Sequence, residues 1–70
     1  MQVRYTSKQL DDILLRFVPH YKLSKMGRTT AIEKACINAF LTNEVQTDDA
    51  KVLRQAMNDL REAGFFTFED

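Results

Sequence analysis

Residues 28–42 read RTTAIEKACINAFLT, and this stretch decides the architecture. At helical spacing, Ile32, Ala35, Cys36, Ala39 and Phe40 form one apolar stripe, which Ile37 and Leu41 widen beyond an ordinary amphipathic face. Only Ala31, Lys34, Asn38 and Thr42 mark out a strip suited to water. A helix so apolar around its circumference has to be covered on two or more sides. It therefore reads as a central helix enclosed by its neighbours, with its leading end left open. Thr29 or Thr30 is the expected N-cap, and Glu33 lies near the positive end of the helix dipole.

Upstream, residues 1–6 (MQVRYT) alternate. Val3 and Tyr5 point one way while Gln2, Arg4 and Thr6 point the other, the pattern of a short half-buried strand. Thr6 or Ser7 then caps a helix, and Gln9 stands three residues after Thr6 at capping-box spacing. Leu10, Ile13, Leu14 and Phe17 give that helix its stripe, to about residue 18, where Pro19 forces the backbone out of helical angles. Residues 20–27 (HYKLSKMG) form a short helix or a loop, with Tyr21, Leu23 and Met26 turned to the core and Lys22 and Lys25 outside.

Downstream, residues 42–46 (TNEVQ) make a polar turn anchored by Val45. Thr47, Asp48 and Asp49 supply a cap and a negative first turn, and Leu53, Ala56, Met57 and Leu60 give a third main helix its stripe, helped by Val52. Gly64 is the expected left-handed stop, with Phe65 or Phe66 making the hydrophobic contact beyond it. The tail 65–68 (FFTF) is β-prone and is expected to pair with residues 1–6, within the chain or in a second copy. The resulting expectation is one mostly α (α+β) domain over residues 1–70, with three main helices and short N- and C-terminal β-strands.

A chain of 70 residues buries only roughly 60% of the surface of its unfolded form, so its stability is expected to be marginal or helped by a partner. The hydrophobic fraction of 44% and charged fraction of 29% belong to an ordinary globular protein. The single cysteine excludes an internal disulfide and fits a reducing compartment. No apolar run approaches the ~20 residues of a membrane span and no signal-peptide pattern is present, so a cytoplasmic place without a membrane partner is expected. Net charge is zero, but residues 1–40 carry seven bases against three acids and residues 41–70 carry three against seven. Either the basic half docks phosphate or an acidic protein, or the two halves attract one another within the fold.

Chemistry needs more than these residues offer. His20 follows Pro19 in a turn and Cys36 lies on the most buried stripe, so no base stands beside a nucleophile. Asp11–Asp12 and Asp48–Asp49 are adjacent pairs at helix starts, where carboxylates serve the dipole and do not face each other. One His and one Cys do not make a structural zinc site, and residues 47–58 lack the ligand ladder of a calcium loop. A non-enzymatic protein without cofactor, metal or small-molecule substrate is expected.

Nucleic-acid recognition has better ingredients. Gly27 in a turn followed by a helix opening Arg28-Thr29-Thr30 suggests a helix-turn-helix, since free N–H groups and a positive dipole favour phosphate. The segment MQVRYT, the helix after it and MGRTTAIEKACI resemble the phage Cro repressors, although a helix stands where their C-terminal hairpin would be. The same opening is also similar to ribbon-helix-helix repressors, which read the groove with alternating strand residues, here Gln2, Arg4 and Thr6. That pattern is interrupted here by Pro19 and about six extra residues. Either resemblance covers the first 40 residues and implies a small DNA-binding regulator of phage or prokaryotic type. Arg4, Lys22, Lys25, Arg28, Thr29 and Thr30 are the expected contacts, through the basic turn 22–28 and the N-terminus of helix 29–42. The alternative is a small protein-binding adaptor or inhibitor using the terminal aromatics Phe65, Phe66 and Phe68 with Asp59 and Glu62 of an acidic third helix. Surplus aromatics in so short a chain also point to a homodimer.

Overall fold

A computed structural model describes residues 3–70. It contains helices α1 (Ser7–Phe17), α2 (Arg28–Leu41) and α3 (Asp48–Ala63). The start of α1 follows its sequence signal. The Thr6 side chain accepts from the Gln9 backbone N–H at 3.1 Å, and the Gln9 side chain accepts from the Thr6 N–H at 2.8 Å. Asp70 reinforces that end, its carboxylate accepting from the Ser7 N–H and hydroxyl at the positive pole of the helix. α3 likewise opens on Thr47, which accepts from the Ala50 N–H, and closes on Gly64 at φ +80°. α2 differs from expectation. Its N-cap is Gly27, without a side-chain bond, and Thr29 and Thr30 lie inside the first turn, exposed.

Between α1 and α2 the chain makes hydrogen-bonded turns and no helix, with Tyr21 N–H donating to Val18 and Ser24 N–H to His20. Tyr21 is buried and Met26 half-buried, whereas Leu23 points into solvent. Lys25 is held in the left-handed region at φ 57°. Asn43 does the same at φ 58° after α2, a conformation that asparagine tolerates.

One core unites the three helices. Leu10, Leu14 and Phe17 of α1, Ala31, Ile32, Ala35 and Ala39 of α2, and Leu53 and Ala56 of α3 are buried together with Tyr5, Val18 and Tyr21. α2 touches both other helices. Its core face is largely alanine, and small side chains let two helices approach on adjacent sides of the same rod. That overturns the expectation of a fully enclosed α2. Ala31, expected to meet water, is buried, while Ile37, Phe40 and Leu41 are exposed and Cys36 is half-buried. The alanines and Ile32 take the helix contacts, and Ile37, Phe40 and Leu41 are left on the opposite side. Asn38 also turns inward, donating from its amide to the Phe17 carbonyl at 2.8 Å.

The expected terminal strands are a second correction. Among the described residues there is no strand, and Met1 and Gln2 lie outside them. The two terminal segments do meet within one chain, through a single backbone bond from Glu69 N–H to the Tyr5 carbonyl at 2.8 Å. A ladder needs repeated rungs. The next backbone donor, Thr67 N–H, goes to the Tyr5 phenol at 3.3 Å instead of to the facing main chain.

Candidate functional site

Charge placement is where the structure departs most from the sequence pattern. α3 carries Asp48, Asp49, Asp59 and Glu62 against Lys51, Arg54 and Arg61. Asp59 is buried and committed. It accepts from the Tyr5 phenol at 2.6 Å, from the Gln55 amide at 2.9 Å and from the Thr67 hydroxyl. Burial works to raise the Asp59 carboxyl, but the donors from Thr67, Tyr5 and Gln55 together outweigh it and hold it below the ordinary aspartate value. Burial, and then the bond to Asp59, push the Tyr5 phenol upward. Asp49 is spent on Arg16 of α1, which also reaches Glu44 at 3.3 Å. These pairs join the basic and acidic halves of the chain internally.

The outward face of α3 consequently carries three bases, Lys51, Arg54 and Arg61, against two exposed acids, Asp48 and Glu62. Lys51, Arg54, Asn58 and Arg61 are all exposed, and their spacing of three, four and three residues sets them on one side of the helix. Between Lys51 and Arg61 the sequence holds one acid, and it is the buried Asp59. Asp48, at the first turn, lies 3.7 Å from Lys51, and Glu62 follows at the far end. Arg54 and Arg61 enter no ion pair among the described residues, which leaves both guanidinium forks open to a ligand. At ~1.5 Å per residue the stripe runs roughly 15 Å, a length that fits along a major groove.

The residues expected to contact DNA divide into exposed ones and one already engaged. Arg4, Lys22, Lys25, Thr29 and Thr30 are exposed. Arg28 is half-buried and engaged. Its guanidinium meets the Asp11 carboxylate with two bonds, 2.9 and 3.0 Å, and lies 5.0 Å from the centre of the Phe68 ring. Hydrogen bonds from Arg28 lower the Asp11 carboxyl against the opposing effect of burial, and Tyr21 adds a further donor at 3.0 Å. Asp11 in turn holds the Arg28 guanidinium in its charged form.

The residues of the alternative surface divide likewise. Phe66 and Phe68 pack on the core, Phe68 edge-on to Tyr5 at 5.8 Å, while Phe65 and Glu62 are exposed and Asp59 is internal. His20 is exposed in the turn after α1. Cys36 sits beside Met57 and Leu60 in a groove between α2 and α3, whose ends carry Glu33 and Arg61. Burial raises its thiol, with Arg61 and Arg54 acting the other way.

Sequence reasoning missed the α3 stripe because it counted the acids of that helix without knowing which were internal. The spacing of Lys51, Arg54, Asn58 and Arg61 was the available signal. No protein-family model, curated protein or solved structure matches the chain. No helix among the described residues is long and apolar enough to cross a membrane.

Proposed function

We propose that this chain is a small non-enzymatic DNA-binding regulator that presents the outward face of α3 to the duplex. The observation that carries the reading is the exposed stripe Lys51–Arg54–Asn58–Arg61, in which three bases outnumber the exposed Asp48 and Glu62 at its ends because Asp59 is turned inward. In this reading the three cations hold phosphate oxygens or the edge of guanine, and the Asn58 amide is suited to the paired donor and acceptor of adenine. The open first turn of α2 and the exposed Lys22 and Lys25 add phosphate contacts. Arg28 has a structural duty instead, because base contact would require breaking two bonds to Asp11.

An electrophoretic shift on random duplex at low salt tests the proposal. Micromolar protein should retard the duplex, and Arg54→Glu with Arg61→Glu should abolish the shift while the circular dichroism spectrum stays unchanged. Absence of any shift from the unaltered protein overturns the reading. A protein-binding adaptor or inhibitor is the second reading. It is favoured by the exposed Ile37, Phe40 and Leu41 on α2, a different surface from the terminal aromatics.

A further inference from the structure

Among the described residues, the outer side of α2 is where large apolar side chains cluster at the surface. Ile37, Phe40 and Leu41 are 59, 74 and 73% exposed. Ile37 points directly away from the core face formed by Ala31, Ile32, Ala35 and Ala39, and Phe40 and Leu41 flank it one turn on. With roughly 200 Å² for a fully exposed residue of this size, these three leave about 400 Å² of apolar surface. We infer that a second copy of this chain covers this face, through a parallel α2–α2 seam about a twofold axis near Ile37.

Two arguments select a second copy as the occupant. The first is area. Two such faces hide about 800 Å², and the surrounding Thr30, Glu33, Lys34 and Cys36 extend the contact toward the ~1,200 Å² at which specific interfaces begin. The second is charge. The face carries one acid, Glu33, and one base, Lys34, so it is neutral and does not repel its own copy. Lys34 and Glu33 flank Ile37 on opposite sides, so parallel pairing about a twofold sets Lys34 of each copy beside Glu33 of the other, where opposite charges attract. Antiparallel pairing would instead set Lys34 beside Leu41 and Glu33 beside Phe40, with no charge complement. A twofold seam is self-complementary by construction, and Arg61 borders it, since it lines the same groove as Cys36 and Ile37. The inference stands independently of DNA binding, since association is measured without nucleic acid.

Sedimentation equilibrium of the full chain tests it. The expected mass is twice the 8.1 kDa of one chain at high micromolar concentration. Phe40→Glu with Leu41→Glu should weaken association at least 100-fold with the helical spectrum retained. Should that variant fail to fold, Ile37→Cys in a Cys36→Ser background provides a second measurement. It should form an intermolecular disulfide on air oxidation, whereas Lys8→Cys on α1 in the same background should not. A wild-type chain that stays at the single-chain mass at 500 µM overturns the proposal. So does a dimer that ignores the α2 substitutions, or one in which position 37 fails to cross-link.

Discussion

Asp59→Asn is the perturbation whose outcome follows most directly from the geometry. The side chain keeps its shape but loses its charge, and half of the acceptor capacity facing Tyr5, Thr67 and Gln55 becomes an NH2 group. Hydrogen bonds to a charged acceptor contribute about 1.5–3 kcal/mol and neutral ones about 0.5–1.5, so weakening three of them costs roughly 2–3 kcal/mol. A chain of this length has a total stability of about 4–10 kcal/mol. At 4–8 °C per kcal/mol the midpoint should fall by about 10–20 °C at pH 7. Thermal unfolding followed by circular dichroism gives the number, and pH supplies a second check. The folded-state carboxyl lies below its unfolded value, so its contribution is complete above about pH 4 and is lost as pH falls through the lowered folded value. The wild-type advantage over Asp59→Asn should therefore shrink on acidification to pH 2–3. A midpoint change under about 3 °C at neutral pH, or a gap that does not narrow in acid, would refute the assignment of Asp59 as the internal acceptor.

Arg28→Ala should lower stability by about 1 kcal/mol, a modest figure because the pair with Asp11 is partly open to water and screened. Urea denaturation of Asp11→Ala, Arg28→Ala and the double variant should show strong non-additivity, and additive losses would mean the two bonds carry little. Gly64→Ala should cost about 1 kcal/mol through its positive φ alone, since a new Cβ there meets no neighbouring atom; an unchanged urea midpoint would contradict this. Lys25→Gly should raise stability by a few tenths of a kcal/mol by relieving the left-handed backbone at that position, and a clear loss in the same assay would count against that strain.

The chain ends of the helices were legible because their signals are local. Thr6 with Gln9, Thr47 before two acids, and Gly64 after Ala63 each act within four residues, and each appears in the structure where its spacing put it. The orientation of α2 was not legible. With apolar residues nearly all round, periodicity cannot choose a face. The choice fell to alanines, because two neighbouring helices need room more than they need bulk. The fate of each charge was hidden for a related reason. Asp59 is 54 residues from Tyr5, and Arg28 is 17 from Asp11, so only the folded chain reveals that one acid and one base are already used. Counting charges along α3 made it an acidic helix. Setting aside the internal Asp59 and the Asp49 paired to Arg16 leaves three bases against Asp48 and Glu62, and the candidate site follows from that removal.

The central claim is that the outward side of α3, with Asp59 turned inward, meets DNA, and the salt dependence of binding tests it most directly. Each phosphate neutralised adds about −0.9 to the slope of log K against log salt, so the three α3 cations with Lys22 and Lys25 give about −4.5 per bound chain, near a 500-fold loss between 50 and 200 mM. Fluorescence anisotropy on a labelled duplex should show that slope in the wild type and a slope shallower by about 1.8 in Arg54→Gln with Arg61→Gln, while Arg28→Gln leaves it unchanged. A slope untouched by the α3 substitutions, or one that falls with Arg28→Gln instead, would contradict the account.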